Sequence, residues 1–515
     1  MSSTDFLHGV RTIEYDDGAV NISTANVSVI GIVGTAPNVK SGAKASAVTG
    51  DALLDNRLLF QAENDGVYGN TFSITIKDGK TVASESEVTA EFLVDSFSFS
   101  RQPDGSVDVY FALPIMDGAE KYFLKAIKFA NLIKDHLFVD PDSNCSFTVT
   151  YITPGGDGLI KPYGKTQFSG GEEEPFPLNK LSVIAGNSKK AELLGSEGTL
   201  PAAVKDIFNQ HKALIVVSRV ETCEDSQEQE MVVANGLYQL TEAGQVLGIT
   251  PRIIIAPDYS ASDSVAAMIE IVANALRGVG YIDSPKLASP SQVVARRQNY
   301  GARIEILRPR VYTTSDISGN SRPYSACAAG LRSRIDSEKG FWWSKSNQQI
   351  LGVTGVEQPD EFIIGETNCT ANLLNGSQVS TIIRRSGFRH WGNYLCSTNP
   401  QWAFECVRRT ADVIEDSIAE TVQNEFVDRP IDVHLGEDII ETINGFLREL
   451  FELGAINGGK AWLDAELNTA ESLAAGKLYI NVDFAPKSPA QTITITYRIN
   501  NDYTVEQFAE LLNAA

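Results

Sequence analysis

The residue pattern that most suggests a ligand-binding site is a glycine turn that follows an apolar run. Residues 27–33 are largely apolar and lead into Gly34, Thr35, Ala36 and Pro37. Backbone amides in such a turn can hold phosphate, but a dinucleotide site needs a third glycine and an immediate helix, and a P-loop needs Gly-Lys-Ser/Thr. Neither feature follows. We interpret the turn as the tight exit of a buried strand and predict no cofactor.

Histidine and cysteine form no strong metal or nucleophile pattern. The chain has 5 histidines and 6 cysteines, with no HxH, HxxxH or CxxC spacing. The best metal trio is His390 with Cys396 and Cys406, but its spacing matches no zinc pattern. No Gly-x-Ser-x-Gly elbow occurs, and the carboxylates cannot be paired into an acid/base couple. We predict no metal and no catalytic residue, and we expect the thiols to be reduced.

One basic cluster stands out in an acidic chain. It consists of Arg384, Arg385 and Arg389, with Arg408 and Arg409 at the start of a predicted helix. Arginine at a helix N-terminus opposes the helix dipole, so another interaction must favour it there. One interpretation is local pairing, such as Arg408 with Asp412 one turn later. The other is a docking face for an acidic partner.

Composition limits the classes of function. The chain has 515 residues, 43% of them hydrophobic, and 43 Lys and Arg against 65 Asp and Glu, a net charge of −22. This length predicts roughly three globular domains. The acidic surface disfavours broad binding of nucleic acid. Since the N-terminus lacks a basic, apolar leader and no run approaches ~18 apolar residues, we expect neither a signal peptide nor membrane insertion.

Changes in hydrophobic period divide the chain into four regions. We predict a multidomain α/β plus α+β protein, with the following boundaries: an extended N-terminal arm (1–22), a discontinuous central α/β sheet domain (23–60 and 176–345), an inserted mostly-β outer domain (61–175) and a C-terminal α+β domain (346–515).

Local patterns predict individual elements inside these regions. Strands are expected at 181–185, 213–220, 252–256 and 303–311, and helices near 199–210, 226–245 and 263–277. In the insert, Phe97 and Phe99 should face residues 107–111 in a hairpin, and 118–135 should be helical. Two amphipathic C-terminal helices, the second stopped by Gly454, should precede strands at 478–483 and 492–499.

The two ends of the chain carry a pattern of their own. The N-terminal arm, with Val10, Thr12 and Ile13, and the late alternating segment, with Ile493, Ile495, Tyr497 and Ile499, can both pair with exposed sheet edges. They either pack on their own subunit or add strands to other copies. Because donor and acceptor lie on different surfaces, exchange between copies would produce rings or helical arrays.

Five short motifs, in order along the chain, then resemble a known family. They are His8-Gly9-Val10 with Val29-Ile30-Gly31-Ile32-Val33-Gly34-Thr35-Ala36-Pro37; Asp65-Gly66-Val67-Tyr68-Gly69-Asn70; Ala329-Gly330-Leu331-Arg332-Ser333-Arg334-Ile335-Asp336 with Gly340-Phe341-Trp342; Gly387-Phe388-Arg389-His390-Trp391-Gly392; and Val407-Arg408-Arg409. The family is the tail sheath proteins of contractile bacteriophages and related contractile injection particles. This chain departs from it with Lys345-Ser346-Asn347 in place of the usual Pro-Ala-Asn.

The resemblance implies a structural protein and not an enzyme. Subunits would form hexameric rings stacked helically around a tail tube protein, with baseplate and tail terminator proteins at the ends. Strand exchange through both arms would hold the lattice together, and the five arginines would face the tube. The place of action would be the virion tail, assembled in the host cytoplasm. From the residues alone, an α/β nucleotide-binding enzyme or a monomeric decoration or adhesion module remains open.

Overall fold

The computed structural model describes residues 22–49, 170, 173–314 and 319–513, and the backbone of nine strands between residues 58 and 167. Contacts group the chain into two compact units. The C-terminal unit takes its described residues from 1–30, 209–213 and 251–515, and the N-terminal unit from 31–208 and 214–250. No helix in the described part of the chain combines the length and apolar character needed to cross a bilayer.

The N-terminal unit is built on three adjacent strands with helices packed against them. Leu214–Val220 lies between Ile30–Thr35 and Leu181–Ala185 and pairs antiparallel with the latter. Every residue of Ile30–Thr35 is buried, as its unbroken apolar run predicts. Its helices are Ser188–Glu192, Leu200–Gln210, Ser226–Gln239 and Ala243–Leu247. At Gly236 a Cβ would lie 2.6 Å from Val220, so the glycine permits close packing of helix on strand.

The glycine turn after the first strand is filled by protein. A Cβ at Gly34 would lie 2.3 Å from Thr199 Oγ1. The Thr35 amide donates to Thr199 Oγ1 at 3.1 Å, and the Thr199 amide donates to Thr35 Oγ1 at 3.3 Å. The turn therefore packs against the start of helix Leu200–Gln210, in agreement with its interpretation as a strand exit.

The insert is a set of antiparallel strands whose backbone is described. One sheet contains Lys44–Thr49, Leu58–Asp65, Ser146–Ile152 and His136–Val139; a second contains Gly164–Gln167, Ser73–Asp78 and Val88–Phe92; a third contains Phe97–Arg101, Ser106–Ala112 and Lys121–Lys128. The predicted hairpin is confirmed, since Phe97 pairs with Phe111 and Phe99 with Val109.

The prediction of a helix at 118–135 is wrong for residues 121–128. Lys121–Lys128 is a strand, antiparallel to Ser106–Ala112. Its sequence, Lys-Tyr-Phe-Leu-Lys-Ala-Ile-Lys, fits a helical stripe as well as a strand. Pairing with a neighbouring strand decided the outcome, because β structure depends more on context than on local preference.

The C-terminal unit contains five neighbouring strands in the order Ile253–Ile255, Val279–Asp283, Ile304–Leu307, Val379–Arg384 and Phe388–Trp391. The first four are parallel and the last is antiparallel to its neighbour. Helices Asp263–Ala275, Pro290–Arg297, Ser325–Lys339 and Thr370–Gly376 connect them, together with a small antiparallel pair, Val311–Thr313 and Val353–Val356. This alternation confirms the predicted α/β character.

Two long helices and a hairpin complete this unit. The helices Glu405–Glu425 and Val433–Glu452 carry the two predicted apolar stripes, and the second gives way to Gly454, whose φ of +82° favours glycine. Strands Ile456–Leu463 and Ile480–Pro486 form an antiparallel hairpin on helix Val433–Glu452. A short helix, Ala470–Ala474, lies between these strands, and Asp502–Asn513 is the last helix.

One predicted strand is absent from the single chain. Residues 487–500 have no regular secondary structure, and Ile493, Ile495, Tyr497 and Ile499 are 64–92% exposed. A strand requires a partner for its backbone groups, and this segment has none within its own subunit's described residues.

Contacts group some residues differently from the boundaries that the sequence suggested. Val27 and Phe341, which we assigned to a central domain, lie in one apolar cluster with Ile414 and Phe446 of the two long helices. Hydrophobic period identifies elements, but it does not say which core each element joins. The four-domain division therefore stays a prediction.

Candidate assembly site and its buried support

A buried lysine lies at the centre of the C-terminal unit. Lys345 is fully buried, and its Nζ lies 2.5 Å from Glu405 Oε2, contacts the Glu305 carboxylate and lies 3.2 Å from the Tyr281 hydroxyl. The Tyr281 hydroxyl also donates to Glu405. Strand, loop and helix each contribute one charged group, so this contact joins Ile304–Leu307, the 344–350 loop and Glu405–Glu425.

Three motif residues form the second half of the same network. Asp336 accepts a hydrogen bond from Arg332 Nε at 2.9 Å and two from Arg409, at 2.7 and 2.6 Å. Arg332 Nη1 lies 3.9 Å from Glu405, which links the halves. The cations Lys345, Arg332 and Arg409 balance the carboxylates of Glu305, Glu405 and Asp336. A buried network that is balanced and hydrogen-bonded can be tolerated, whereas an incomplete one is costly.

The network keeps its carboxylates charged. Burial by itself would raise the pKa of Glu405, but the charges of Lys345, Arg332 and Arg409 outweigh burial and lower it to about 2. The pKa of Glu305 is lowered in the same way, with Lys345 and His390 overcoming burial. Burial, followed by the charges of Glu405 and Glu305, raises the pKa of Tyr281 well above its usual value, so the hydroxyl remains a donor.

These shifts predict acid sensitivity of the C-terminal unit. A carboxyl whose pKa is lowered on folding stabilises the protein fully above its unfolded pKa of ~4.3, and that stability is lost as pH falls towards the folded value. For Glu405 the expected loss is about 3 kcal/mol between pH 5 and pH 2. All five tryptophans lie at positions 342–462, inside this unit, so their fluorescence in urea titrations reports it selectively. A urea midpoint unchanged down to pH 2.5 would contradict the prediction.

The same network fixes the root of the N-terminal arm. Arg409 Nη2 donates to the Val27 carbonyl oxygen at 2.8 Å, and the Ala25 amide donates to Ser417 Oγ at 2.9 Å. Ile22 and Val27 are buried in the cluster formed by the two long helices. The chain before residue 22, including Val10, Thr12 and Ile13, lies outside the described residues. Its point of attachment is therefore helix Glu405–Glu425.

The root of the C-terminal arm is held at a second point. Gln491 accepts a hydrogen bond from the Tyr394 hydroxyl at 2.6 Å and donates to Asn393 Oδ1 at 3.4 Å. The residues around it, Pro489 to Thr492, form one wall of a cleft of about 740 Å³ that is lined by neutral polar and aromatic side chains. Beyond Thr492 every described side chain is exposed. The arm therefore leaves its subunit at a defined residue.

The C-terminal hairpin is a two-stranded sheet whose Ile456–Leu463 edge is partly closed: the Asn444 side chain accepts a hydrogen bond from the Ala461 amide at 2.8 Å and donates to the Ala461 carbonyl oxygen at 3.2 Å. Within the described residues, Ile456–Leu463 and Ile480–Pro486 pair only with each other. Ile480, Val482 and Phe484 pack towards the apolar cluster on helix Val433–Glu452. A sheet edge with no further strand offers unpaired backbone donors and acceptors, so the Ile480–Pro486 edge is the better template for an added strand.

The five arginines do not form one surface. Arg409 is 3% exposed and paired with Asp336, so its assignment to a docking face is wrong. Arg408 pairs with Asp412 at 2.7 Å, which confirms the local-pairing alternative, and its guanidinium lies over Trp402. Arg389 donates to the carbonyl oxygens of Arg385 and Asn347. Arg384 and Arg385 remain exposed, beside the turn between two strands. Internal pairing explains why arginines begin this helix.

Sequence reasoning missed the centre of the network. The sequence marks Lys345 only as a departure from the family pattern, and no motif distinguishes Glu305, Glu405 or Tyr281. The signal available was weak, because Lys345 follows Phe341, Trp342 and Trp343 closely but is flanked by Ser344 and Ser346, as a lysine in a surface loop would be. His390 is buried, with Nδ1 2.6 Å from the Tyr324 hydroxyl, and no metal-binding group of three or more residues occurs among the described residues.

Comparisons with known sequences identify the family. Residues 239–394 match the phage tail sheath protein central domain, and residues 397–500 match the phage tail sheath C-terminal domain. The tail sheath protein of Escherichia phage P2 is 36% identical over 353 residues, which cover 65% of this chain and 89% of that protein. The putative prophage major tail sheath protein of Pseudomonas aeruginosa (strain UCBPP-PA14) is 32% identical, covering 70% and 97%.

Solved structures share the fold. The helical sheath of the anti-feeding prophage in its contracted state gives a TM-score of 0.51 at 20% identity, over 63% of this chain and 89% of that one. The PVC sheath complex of an extracellular contractile injection system, also contracted, gives 0.51 at 16% identity, over 64% and 89%. The fold is thus that of sheath proteins from contractile particles. With the sequence matches, the chain belongs to the phage tail sheath family.

Proposed function

We propose that this protein is a sheath subunit that polymerises as helically stacked hexameric rings around a tail tube and contracts to drive the tube through a cell envelope. Family membership supports a structural role, and the relatives named above are sheath proteins. The observation that carries the proposal is that, among the described residues of a single chain, the alternating C-terminal arm pairs with no strand and the hairpin has no third strand. The arm needs a strand to pair with, and the hairpin can accept a further strand. Pairing the arm of one copy with the hairpin of another would satisfy both.

Side-chain alternation specifies how the arm would bind. Ile493, Ile495, Tyr497 and Ile499 share one face of an extended segment because side chains alternate along a strand. On the hairpin, Ile480, Val482 and Phe484 face the core. An arm added to a neighbour's hairpin with its apolar face on that side extends the apolar surface over helix Val433–Glu452. The opposite register would place these four side chains in water.

The N-terminal arm would serve the remaining edge, that of Ile456–Leu463, away from the Ala461 position that Asn444 holds. Val10, Thr12 and Ile13 are the residues we assign to that contact. The N-terminal arm is attached at Arg409 and Ser417, and the C-terminal arm is attached at Tyr394. All three residues lie in the C-terminal unit, so both arms would link this one body to its neighbours. Such a body can rotate against its neighbours while the backbone links persist. Contraction then needs no nucleotide, because the free energy comes from better contacts in the shorter lattice.

Tube docking is proposed for the two arginines that remain exposed. Charge reversal in Arg384→Glu/Arg385→Glu should weaken co-sedimentation with the tube protein about tenfold, while sheath-only polymers form as before. The matched control is Lys286→Glu, which changes an exposed charge elsewhere in the same unit. Tube binding that is unchanged in the double variant would remove this assignment, and Arg389 and Arg408 would then have structural roles only.

The wider setting follows from the same proposal. Ring ends would contact baseplate and tail terminator proteins, and the particle would be a virion tail assembled in the host cytoplasm. No enzymatic activity, direct nucleic-acid contact or membrane insertion is part of this mechanism. Negative-stain electron microscopy of the purified protein tests it: striated cylinders are expected. Monomers at every concentration would favour a decoration module, and saturable nucleotide binding would favour an enzyme.

A further inference from the structure

The helix Asp502–Asn513 packs against no other described part of its own subunit. Every side chain described in Asp502–Asn513 is exposed, including Tyr503, Val505, Phe508 and Leu511 at 63–70%. At 100° per residue these four lie within an arc of about 200°, opposite Asp502 and Glu506. An isolated helix of 12 residues is marginal in water. The match to the family's C-terminal domain ends at residue 500, before this helix.

Chain connectivity restricts where this helix can bind. Only Asn500 and Asn501 separate Ile499, the last apolar residue of the arm, from the helix. Two extended residues reach about 7 Å. If the arm pairs with a neighbour's hairpin, as proposed above, the helix must lie on that same neighbour, next to one end of the hairpin.

Exposed apolar side chains occur at both ends of the hairpin. Beside the end where Ile456 pairs with Pro486, Phe451 and Leu453 are each 56% exposed. We call these two residues, with Arg448 and Lys487, the Phe451 patch. A Cβ at Gly454 would lie 3.6 Å from the Lys487 Nζ, which places that ammonium group at the helix end. Beside the other end, Val433, Leu463 and Leu467 form what we call the Val433 patch.

Charge distinguishes the two patches. The Val433 patch is bordered by the carboxylates of Glu437, Asp464 and Glu466, which would repel an acidic helix. The Phe451 patch contains two basic residues, Arg448 and Lys487, which offset the adjacent exposed carboxylates of Glu449 and Glu452 and leave the patch without a net negative charge. The two basic residues can approach the Asp502 and Glu506 edge while the apolar arc covers Phe451 and Leu453.

We propose that the helix Asp502–Asn513 docks on the Phe451 patch of the copy that receives its arm and locks the exchanged strand in place. The inference rests on the proposed strand exchange. It assigns the apolar contact to Phe508 and Leu511 against Phe451 and Leu453, and the polar contact to Glu506 with Arg448.

Assembly of purified protein, followed by sedimentation, tests the docking. Phe508→Asp/Leu511→Asp should raise the concentration needed for assembly by about tenfold or more, because two buried apolar side chains become charged. The control Ala509→Asp/Asn513→Asp adds the same charges on the acidic face and should assemble like the unmodified chain. Assembly of the first variant at the unmodified concentration would overturn the inference.

Crosslinking separates the two patches and distinguishes this inference from strand exchange. In assembled protein, a short bismaleimide should join Leu511→Cys to Leu453→Cys into a covalent ladder, with no ladder for either single variant. A ladder only with Leu467→Cys would overturn the choice of patch. If an Ile493→Asp/Ile495→Asp variant assembles normally, strand exchange itself fails. If only the helix variant does so, strand exchange stands and the docking fails.

Discussion

Lys345→Met is expected to destabilise the C-terminal unit by about 3–5 kcal/mol, because it leaves the buried carboxylates of Glu305 and Glu405 without their shared cation. Both carboxylates are buried. Their pKa values should rise in the variant, so its stability should improve as pH falls from 7 towards 5, a range over which the unmodified protein should keep its stability. Urea unfolding followed by tryptophan fluorescence measures both effects.

A second substitution separates charge balance from packing. Lys345→Met/Glu305→Gln restores charge balance, with the two cations Arg332 and Arg409 against the two carboxylates Glu405 and Asp336, and should recover more than half of the loss. The control Lys286→Met removes an exposed lysine and should stay within ~0.5 kcal/mol of the unmodified protein. Equal stability of Lys345→Met and the control would show that the network contributes nothing.

Placing charges on the apolar face of the C-terminal arm should abolish assembly. Ile493→Asp/Ile495→Asp puts two carboxylates where an exchanged strand would be buried, and burial of each isoleucine is worth about 1.5–3 kcal/mol. The concentration required for polymerisation should therefore rise by at least roughly 100-fold. Since both side chains are exposed in the single chain, the monomer should keep its unfolding midpoint.

The opposite face of the same segment provides the matched control. Thr494→Asp/Thr496→Asp adds equal charge at equal spacing, and both threonines are also exposed. Because alternate residues point to opposite sides of a strand, this variant should polymerise with less than about a tenfold change. Equal loss of assembly in the two variants would mean that charge, and not the face of a strand, controls polymerisation.

Elements with a strong period were predictable from sequence, and contacts between distant elements were not. The strand Leu181–Ala185 and the stripe from Ile439 to Leu450 followed directly from alternation and helical spacing. The strand Lys121–Lys128 was mistaken for a helix because its apolar residues fit both periods. The segment 492–499 has the pattern of a strand, yet it pairs with no strand among the described residues of the single chain.

The arginine cluster shows the same limit at the level of side chains. Adjacent residues on a helix point in different directions, so Arg408 and Arg409 have separate partners, Asp412 and Asp336. Asp336 is 73 positions away from Arg409 in sequence, so no local pattern predicts that ion pair. Likewise, the carboxylates that pair with Lys345 belong to Glu305 and Glu405, which lie 40 and 60 positions away in the sequence. Only the fold brings these three residues together.

In the proposed assembly, each subunit leaves backbone hydrogen bonds to be completed by other copies. A cryo-electron microscopy map of the assembled protein, resolved well enough to trace the main chain, addresses it most directly. We expect residues 492–499 of one subunit to be hydrogen-bonded along the hairpin of another. A map in which both arms of every subunit fold back onto that subunit, with each hairpin still two-stranded, would contradict the claim.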